Sequence, residues 1–430
     1  MKKIKGIRIP HYKNTAKHVP ELIPTPPEVR LPMSMHQGAA AKPVVAVGDL
    51  VKVGQLLGEA VTTDDVSAPI HSSVSGKVKS IDDFDPITGE KALSIVISSD
   101  GEQATFEGLK PPVISNTSEF LKAIQNSGAV GLGGAGYPTA PKLSFKEGLE
   151  LDYILINAVE CEPFLTADAR TMIDDAEAVL EGAVLLMKYI KAKQIIICIA
   201  DNKPEAIEKM KALTAPHEGI SVHSLASKYP QGERKLLVYE LTGRIVPEGG
   251  RLADVGCIVL NCTTVSVFAK YIRSGMPYTH RIVTVDGSGV KNPKNVIVPI
   301  GTAIKYLFDY CGGLTDDARK IIMGGPMMGK AVPSLEMPLT KTVSVVLAFN
   351  EKDSEPAHET ACIRCGRCIS ACPMDLMPSF VGDAFEQKNI DTLDSLKVNL
   401  CIECACCAYL CPAKRPLAQL MSLSKNMLSS

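Results

Sequence analysis

Eight cysteines near the C-terminal end constrain this chain more than any other feature. Cys362, Cys365, Cys368 and Cys372-Pro373 form one run, and Cys401, Cys404, Cys407 and Cys411-Pro412 repeat it. Both read C-x2-C-x2-C-x3-C-P. In that spacing three thiolates wrap one iron–sulfur cube and the fourth reaches the other. Paired structural zinc sites are the competing explanation. A closed zinc site takes four ligands around one ion and has no use for the Cys-Pro ending, whereas three close thiolates with a fourth donated across suit a cube. The spacing therefore predicts two 4Fe-4S clusters. Cys362, Cys365, Cys368 and Cys411 would hold one, and Cys401, Cys404, Cys407 and Cys372 the other. Cys406 reads as a packed spare thiol.

The rest of the chain must explain what meets this electron wire. Its 430 residues allow two to four domains, and 46% hydrophobic with 22% charged residues is ordinary for a globular protein. A net charge of −1 without long runs of one sign speaks against nucleic-acid binding. The six remaining cysteines (Cys161, Cys198, Cys257, Cys262, Cys311, Cys406) have no pairing rhythm, so metal in a reducing compartment is expected rather than a disulfide framework. Met1-Lys2-Lys3 leads into no apolar signal region. The longest apolar runs, Val343 to Phe349 and Ile195 to Ala200, fall far short of the about 20 residues that span a bilayer.

The pattern along the chain predicts a multidomain α/β protein. Residues 1–43 are proline-rich and read as an extended arm lying on another surface. Residues 44–112 read as a small β module, with turns at Val47-Gly48-Asp49 and Val53-Gly54-Gln55. This resembles the barrel-sandwich of lipoyl- and biotin-carrying domains. The hairpin tip Val61 to Val66 has no lysine, so the module is expected to be structural rather than a carrier. Residues 113–270 alternate helix and strand: a helix over 116–127 capped by Thr117 or Ser118, a strand Tyr153 to Ile156, a long helix Ala167 to Tyr189, a strand Ile195 to Ile199, a helix Pro204 to Leu213 and a strand Ile220 to Leu225. That order argues for a largely parallel sheet. Residues 271–350 read as a β-grasp-like module, and 351–430 as a helical two-cluster ferredoxin-like domain. The 28 residues between Cys372 and Cys401 are predicted to form helices at Pro378 to Gln387 and Ile390 to Val398.

Two stretches of the α/β region carry candidate chemistry. Gly131, Gly133 and Gly136 formally make G-x-G-x-x-G, but a helix precedes the loop and Tyr137-Pro138 ends it, so the dinucleotide fingerprint fails on context. Such a loop exposes backbone N–H groups that can cradle a phosphate; it is equally compatible with a plain surface turn. Asn157-Ala158-Val159-Glu160-Cys161-Glu162-Pro163 follows a strand, where open α/β sheets place ligands. The alternative there is a turn leading into a helix, with Glu162 and Asp168 facing the helix N-terminus.

The loop Gly131 to Thr139, the stretch Asn157 to Pro163, Tyr229-Pro230-Gln231-Gly232-Glu233 and Asn261-Cys262-Thr263-Thr264 stand in the same order as in the NADH-oxidising flavoprotein subunit of respiratory complex I. The succession of modules resembles more closely the RnfC family, the C subunits of Rnf electron-transport complexes. The resemblance implies FMN bound in the α/β domain with NAD(H) stacked against it. Gly131, Gly133, Gly134, Gly136 and Lys142 would hold the FMN phosphate or ring, and Asn157, Asn261 and Thr263 would line the flavin. Glu160, Glu162, Tyr229, Gly232 and Glu233 would sit at the flavin–nicotinamide face, with the three glutamates as catalytic candidates. Val159 and Arg234 stand where the complex I pattern has acidic residues, Leu260-Asn261 replaces paired asparagines, and Lys5 to His11 replaces the usual Rnf start Gly-Gly-(Val/Ile)-His-Pro.

The implied function is that of an oxidoreductase component exchanging electrons between NAD(H) and a ferredoxin-type or membrane electron-transport chain through FMN and two 4Fe-4S clusters. It would be peripheral on the cytoplasmic face of the membrane, with the other subunits of an ion-translocating complex and a ferredoxin-like donor as partners. The alternatives are a soluble relative feeding another reductase, of the proline-reductase-associated type, and a non-catalytic two-cluster adaptor. Intact loop glycines argue against the adaptor.

Overall fold

Strands of the α/β domain are nearly continuous apolar runs, as a parallel sheet covered on both faces requires. The computed structural model, which describes residues 4–429 apart from 62–64, 86–90, 146–147 and 357, builds them into a four-stranded parallel sheet. Its order is Ile220–Leu225, Gln194–Ala200, Tyr153–Ala158, Cys257–Asn261. The first strand of the domain is thus central. The chain continues to one side of it through Gln194–Ala200 and returns to the other side with Cys257–Asn261. That reversal makes the C-terminal end of Tyr153–Ala158 a topological switch point, the place where such sheets bind ligands. In register, Asn157 lies between Cys198 and Asn261.

Helices Ala176–Ile190 and Cys262–Ser274 cover one face, with Ile154, Ile156, Leu186, Val265 and Phe268 fully buried between them. The long helix expected over 167–189 is two helices, Ala167–Asp174 and Ala176–Ile190. Asp175 interrupts them with φ −115° and ψ 23°, its amide donating to Thr171 and its carboxylate paired with Lys270. Helix Thr117–Asn126 is capped by Asn116, whose side chain accepts from the Glu119 amide. Thr117 instead donates to the Tyr189 carbonyl, 2.9 Å away.

The barrel module packs a four-stranded antiparallel sheet against a three-stranded one, with Leu31, Leu57, Ile70, Ile95 and Ile97 sealed between them. Part of the proline-rich arm joins it. Glu28–Pro32 pairs antiparallel with Ala92–Ser99, and its alternating Val29 and Leu31 point into the core. The hairpin tip expected at Val61 to Val66 includes residues 62–64, which lie outside the described residues. The arm's Glu21–Leu22 adds a parallel edge to the third module, a six-stranded mixed sheet that also holds His280–Asp286, Lys294–Pro299, Ala318–Met323 and Val345–Asn350 and packs on helix Ile304–Tyr310.

Two buried cations tie these modules together behind the glycine loop. The Lys341 ammonium donates to the Pro69 carbonyl of the barrel at 2.7 Å and to Gly128 at 2.9 Å. Arg281 donates to Leu132 inside the loop at 2.7 Å and to the Lys341 carbonyl. Burial lowers the Lys341 pKa to about 7.

The C-terminal region is helical, as expected: Arg367–Ala371, Pro378–Glu386, Ile390–Ser395, Cys406–Tyr409 and Leu417–Ser429. Among the described residues no helix is long and apolar enough to cross a membrane.

Candidate flavin and iron–sulfur site

Both cysteine runs fold the same way. Arg364 and Glu403, two residues past the first cysteine of each run, have φ 53°; Gly366 and Ala405 follow the second cysteine with φ 74° and 59°; Asp375 and Lys414 follow the Cys-Pro pair with φ 56° and 53°. Alternating right- and left-handed residues curl the backbone so that N–H groups turn inward. Two of these amides meet sulfur, Glu403 N to Cys401 Sγ and Leu376 N to Cys372 Sγ, each 3.3 Å.

The sulfurs sort as the crossover spacing requires. Cys362, Cys365, Cys368 and Cys411 line one cavity, and Cys372, Cys401, Cys404 and Cys407 line a second. Cys406 is fully buried and lines the second as well. Among the described residues no His, Cys, Asp and Glu group converges as the ligand set of a single metal ion does. A cube separates its ligands further, so a thiol-lined cavity fits it. The two cavities differ in setting. The first is at the surface, with Cys365 exposed and Ile363 and Phe380 projecting beside it. The second lies inward, lined by Met374, Leu376 and Met421.

Next to the inner cavity an apolar cluster joins Cys404, Cys406 and Ala371 to Tyr229, Ile7 and Ile9, with Cys161 and Met327 packed against it. Tyr229 and Cys161 belong to the two loops at the end of the parallel sheet. The Gly232 amide points at Cys161 Sγ (3.4 Å), and Asn157 Nδ2 donates to the Gly232 carbonyl at 2.8 Å. Gly232 and Tyr229 are thereby brought to the Asn157 strand end and to the inner cluster cavity at once.

The glycine loop closes on itself through Gly131 N to the Tyr137 carbonyl and Gly136 N to the Gly131 carbonyl. Thr264 fastens it from the Cys262–Ser274 helix by accepting from the Leu132 amide at 3.0 Å and donating to the Val130 carbonyl. Gly133, Gly134 and Ala135 are exposed, and their amides donate to no group among the described residues. A Cβ on Gly133 would come 3.3 Å from Asn261 Nδ2, so the missing side chain leaves a slot over that asparagine. Gly134, at φ 103°, adopts a backbone that side chains avoid. Lys142 follows on helix Thr139–Leu143. Burial and the nearby Arg234 lower its pKa to about 8, and its ammonium has no carboxylate partner among the described residues. A loop of free amides beside an unpaired ammonium suits a phosphate.

Asn261 caps its helix by accepting from Thr263 N and Thr264 N. Its Nδ2 donates to Asp168 at 2.7 Å, and Thr263 Oγ1 donates to the same carboxylate at 2.8 Å. Asp168, expected only as a carboxylate facing a helix N-terminus, instead accepts from both Asn261 and Thr263 and holds them in place.

The three glutamates differ. Glu162 lies under the 324–329 loop and accepts from Met327 N at 3.1 Å; desolvation raises its pKa to about 7. Glu233 caps helix Arg234–Thr242 through Oε2, which accepts from Lys235 N and Leu236 N, and burial raises its pKa. Glu160 is enclosed, its side chain 2% exposed, with Oε2 3.8 Å from both Lys13 and Lys203 and Oε1 accepting from Asp168 N. Burial raises its pKa against the pull of the two ammoniums. Lys13 and Lys203 lie in no recognisable sequence motif. Glu160 Oε2, the Tyr229 hydroxyl and both amide atoms of Gln231 are buried without a hydrogen-bond partner among the described residues. Such orphans are rare in native proteins, and a group bound at this strand end could satisfy them.

Comparison with known proteins agrees with this arrangement. Residues 1–102 match the RnfC barrel sandwich hybrid domain, 124–269 the Nuo51 FMN-binding domain, 282–331 the SLBB domain and 361–414 the 4Fe-4S dicluster domain. The chain is similar to the C subunit of the proton-translocating ferredoxin:NAD(+) oxidoreductase complex of Clostridium ljungdahlii, 41% identical over 86% of this chain and 81% of that protein. It is likewise similar to the C subunit of the Na(+)-translocating ferredoxin:NAD(+) oxidoreductase complex of Acetobacterium woodii, 37% identical over 90% and 87%. Among solved structures, NAD+-reducing [NiFe]-hydrogenase in the H2-reduced state shares the fold, with TM-score 0.50 and 18% identity over 73% of this chain; the match spans 61% of that chain's length. Identity of this level over most of both chains places the protein in the RnfC family, the C subunits of ferredoxin:NAD(+) oxidoreductase complexes.

Proposed function

We propose that this chain passes electrons between NAD(H) and ferredoxin-level carriers, as a peripheral subunit on the cytoplasmic face of an ion-translocating membrane complex. One observation carries the reading: Tyr229 and Cys161, at the end of the flavin-domain sheet, pack directly on Cys404 and Cys406 of the inner cluster cavity. FMN, when bound, supplies the conversion between hydride and single-electron transfer, and the 4Fe-4S clusters carry the single electrons.

The chain's own residues hold and orient. The loop of Gly131, Gly133, Gly134 and Gly136, with the free amides of Gly133, Gly134 and Ala135 and with Lys142, would take the FMN phosphate and ring edge. Asn157, Asn261 and Thr263, the last two held by Asp168, would line the flavin. Tyr229 and Gly232 close the opposite side. Glu162, and the Glu233 oxygen that is not capping a helix, would orient the nicotinamide end, and Glu160 would shape the turn between them. Cys372, Cys401, Cys404 and Cys407 would hold the cluster nearer the flavin. Cys362, Cys365, Cys368 and Cys411 would hold the outer one, where exposed Cys365 meets the partner.

Protein purified without oxygen is expected to release about one FMN on acid treatment and to hold about eight irons, four for each cube. NADH should bleach the flavin first and the clusters after it. Full iron without flavin would sink the proposal, and reduction by NADPH alone would sink the nucleotide assignment.

A further inference from the structure

The extended arm carries one lysine into the site. Lys13, its side chain 16% exposed, directs its ammonium at three carbonyls of a single turn: Glu160 at 3.0 Å, Glu162 at 2.9 Å and Leu165 at 2.5 Å. Three acceptors use all three N–H bonds of the ammonium. The turn needs such a clamp. Glu160 and Phe164 both stand in left-handed conformations, at φ 46° and 68°. Non-glycine residues adopt this conformation at an energetic cost, and the bulky Phe164 is the more unusual. Neighbouring arm residues reinforce the hold: the Phe164 amide donates to the His11 carbonyl at 3.0 Å, and Tyr12 stacks on the Phe164 ring at 4.9 Å. Further upstream, Ile7 and Tyr229 exchange both backbone hydrogen bonds, at 2.8 and 2.9 Å. The arm therefore grips the two loops that flank the Asn157 strand end.

We propose that Lys13 is a positioning residue for the nicotinamide half of the site, fixing the 160–165 turn in the shape that aims the Glu160 and Glu162 side chains. This rests on the assignment of that turn to NAD(H) made above. Lys13 touches no reacting atom; it acts through the turn. Three groups of the turn face its ammonium (Glu160, Cys161 and Glu162), together with Lys203 at the start of helix Pro204–Thr214 and His11 of the arm itself. Burial lowers the Lys13 pKa to about 8, with Glu160 opposing the shift. Its clamp should loosen as pH rises through that value.

The test uses the full-length holoprotein and the variants Lys13→Met and Lys13→Arg. Hydrogen exchange reads the turn itself at the amides of Phe164 and Asp168. Steady-state NADH oxidation with ferricyanide reads its consequence. Lys13→Met should lose protection at both amides and raise the KM for NADH roughly tenfold or more, as losing a charged hydrogen-bond donor does, with flavin and iron content kept. Lys13→Arg should retain most of both. Wild type should also show a rising KM above about pH 8, which the permanently charged arginine flattens. Unchanged protection in Lys13→Met overturns the proposal, and so does lost protection with an unchanged KM. A wild-type protein that ignores NADH removes the nucleotide assignment itself, an outcome seen before any variant is compared.

Discussion

Tyr229 and Glu162 show how much of this site is decided by single polar groups without ordinary surroundings. The Tyr229 hydroxyl is buried and unpaired, so Tyr229→Phe removes a desolvated group that nothing among the described residues satisfies. The flavin-free protein should melt within about 1 kcal/mol of wild type, whereas FMN affinity should fall roughly fivefold if the bound group is its missing partner. Fluorescence titration of the free protein with FMN separates the two. Glu162 gives a pH signature. Its folded pKa, about 7, lies above the unfolded value of 4.5, so between those values the folded state holds the extra proton. Its contribution is therefore favourable below about pH 4.5 and is lost as pH climbs to about 7. Above that the ionised carboxylate costs the fold on the order of 1–3 kcal/mol. Glu162→Gln, whose amide oxygen can still accept from Met327 N, should raise the Tm by a few degrees at pH 8 and hardly at all at pH 5. A scan at both pH values checks it.

Elements transmit these demands over longer distances. Helix Cys262–Ser274 carries Asn261 at its cap and Thr263 in its first turn, so its seating sets two groups proposed to line the flavin. Gly182 of the neighbouring helix lets it approach: a Cβ there would stand 2.8 Å from the Val265 carbonyl oxygen. Gly182→Ala gains about 1 kcal/mol of helix propensity, yet overpacking against a backbone atom that cannot swing aside costs about 1–3 kcal/mol. Packing should win. The variant is expected to melt earlier and to bind FMN more weakly, because Asn261 and Thr263 shift together; a neutral Tm would show that the two helices can slide apart. Apolar runs and alternation announced three strands of the sheet and the helical stretch 167–189, but not strand Cys257–Asn261 or helix Cys262–Ser274. The break at Asp175 was missed as well, although aspartate is a favoured residue at a helix start and Asp175 occupies that cap. Nor could local pattern reveal Lys13, whose partner carbonyl lies 147 residues away.

At the scale of the whole molecule, packing between domains relates the candidate sites to one another. The flavin loops abut the inner cysteine cavity, and the outer cavity opens beside exposed Cys365, Ile363 and Phe380. Cysteine spacing proposed the ligand sets, but how the cavities sit relative to the flavin domain depends on packing between domains, which spacing does not encode. Loss of the outer site should therefore leave the first steps intact. Cys365→Ser is expected to permit NADH reduction of flavin and inner cluster, followed by EPR, while delivery to an external one-electron protein falls sharply. Cys404→Ser should stop reduction at the flavin. If Cys404→Ser still fills the outer cluster from NADH, the order is reversed.

The crossed ligand sets also place events in time. Cys372 is synthesised with the first run but serves the cavity of the second, and Cys411, the last of the eight to leave the ribosome, closes the cavity of the first. Neither cage can be finished while only half of this region exists. With the cages crossed as proposed, iron loading has to wait for a nearly finished polypeptide.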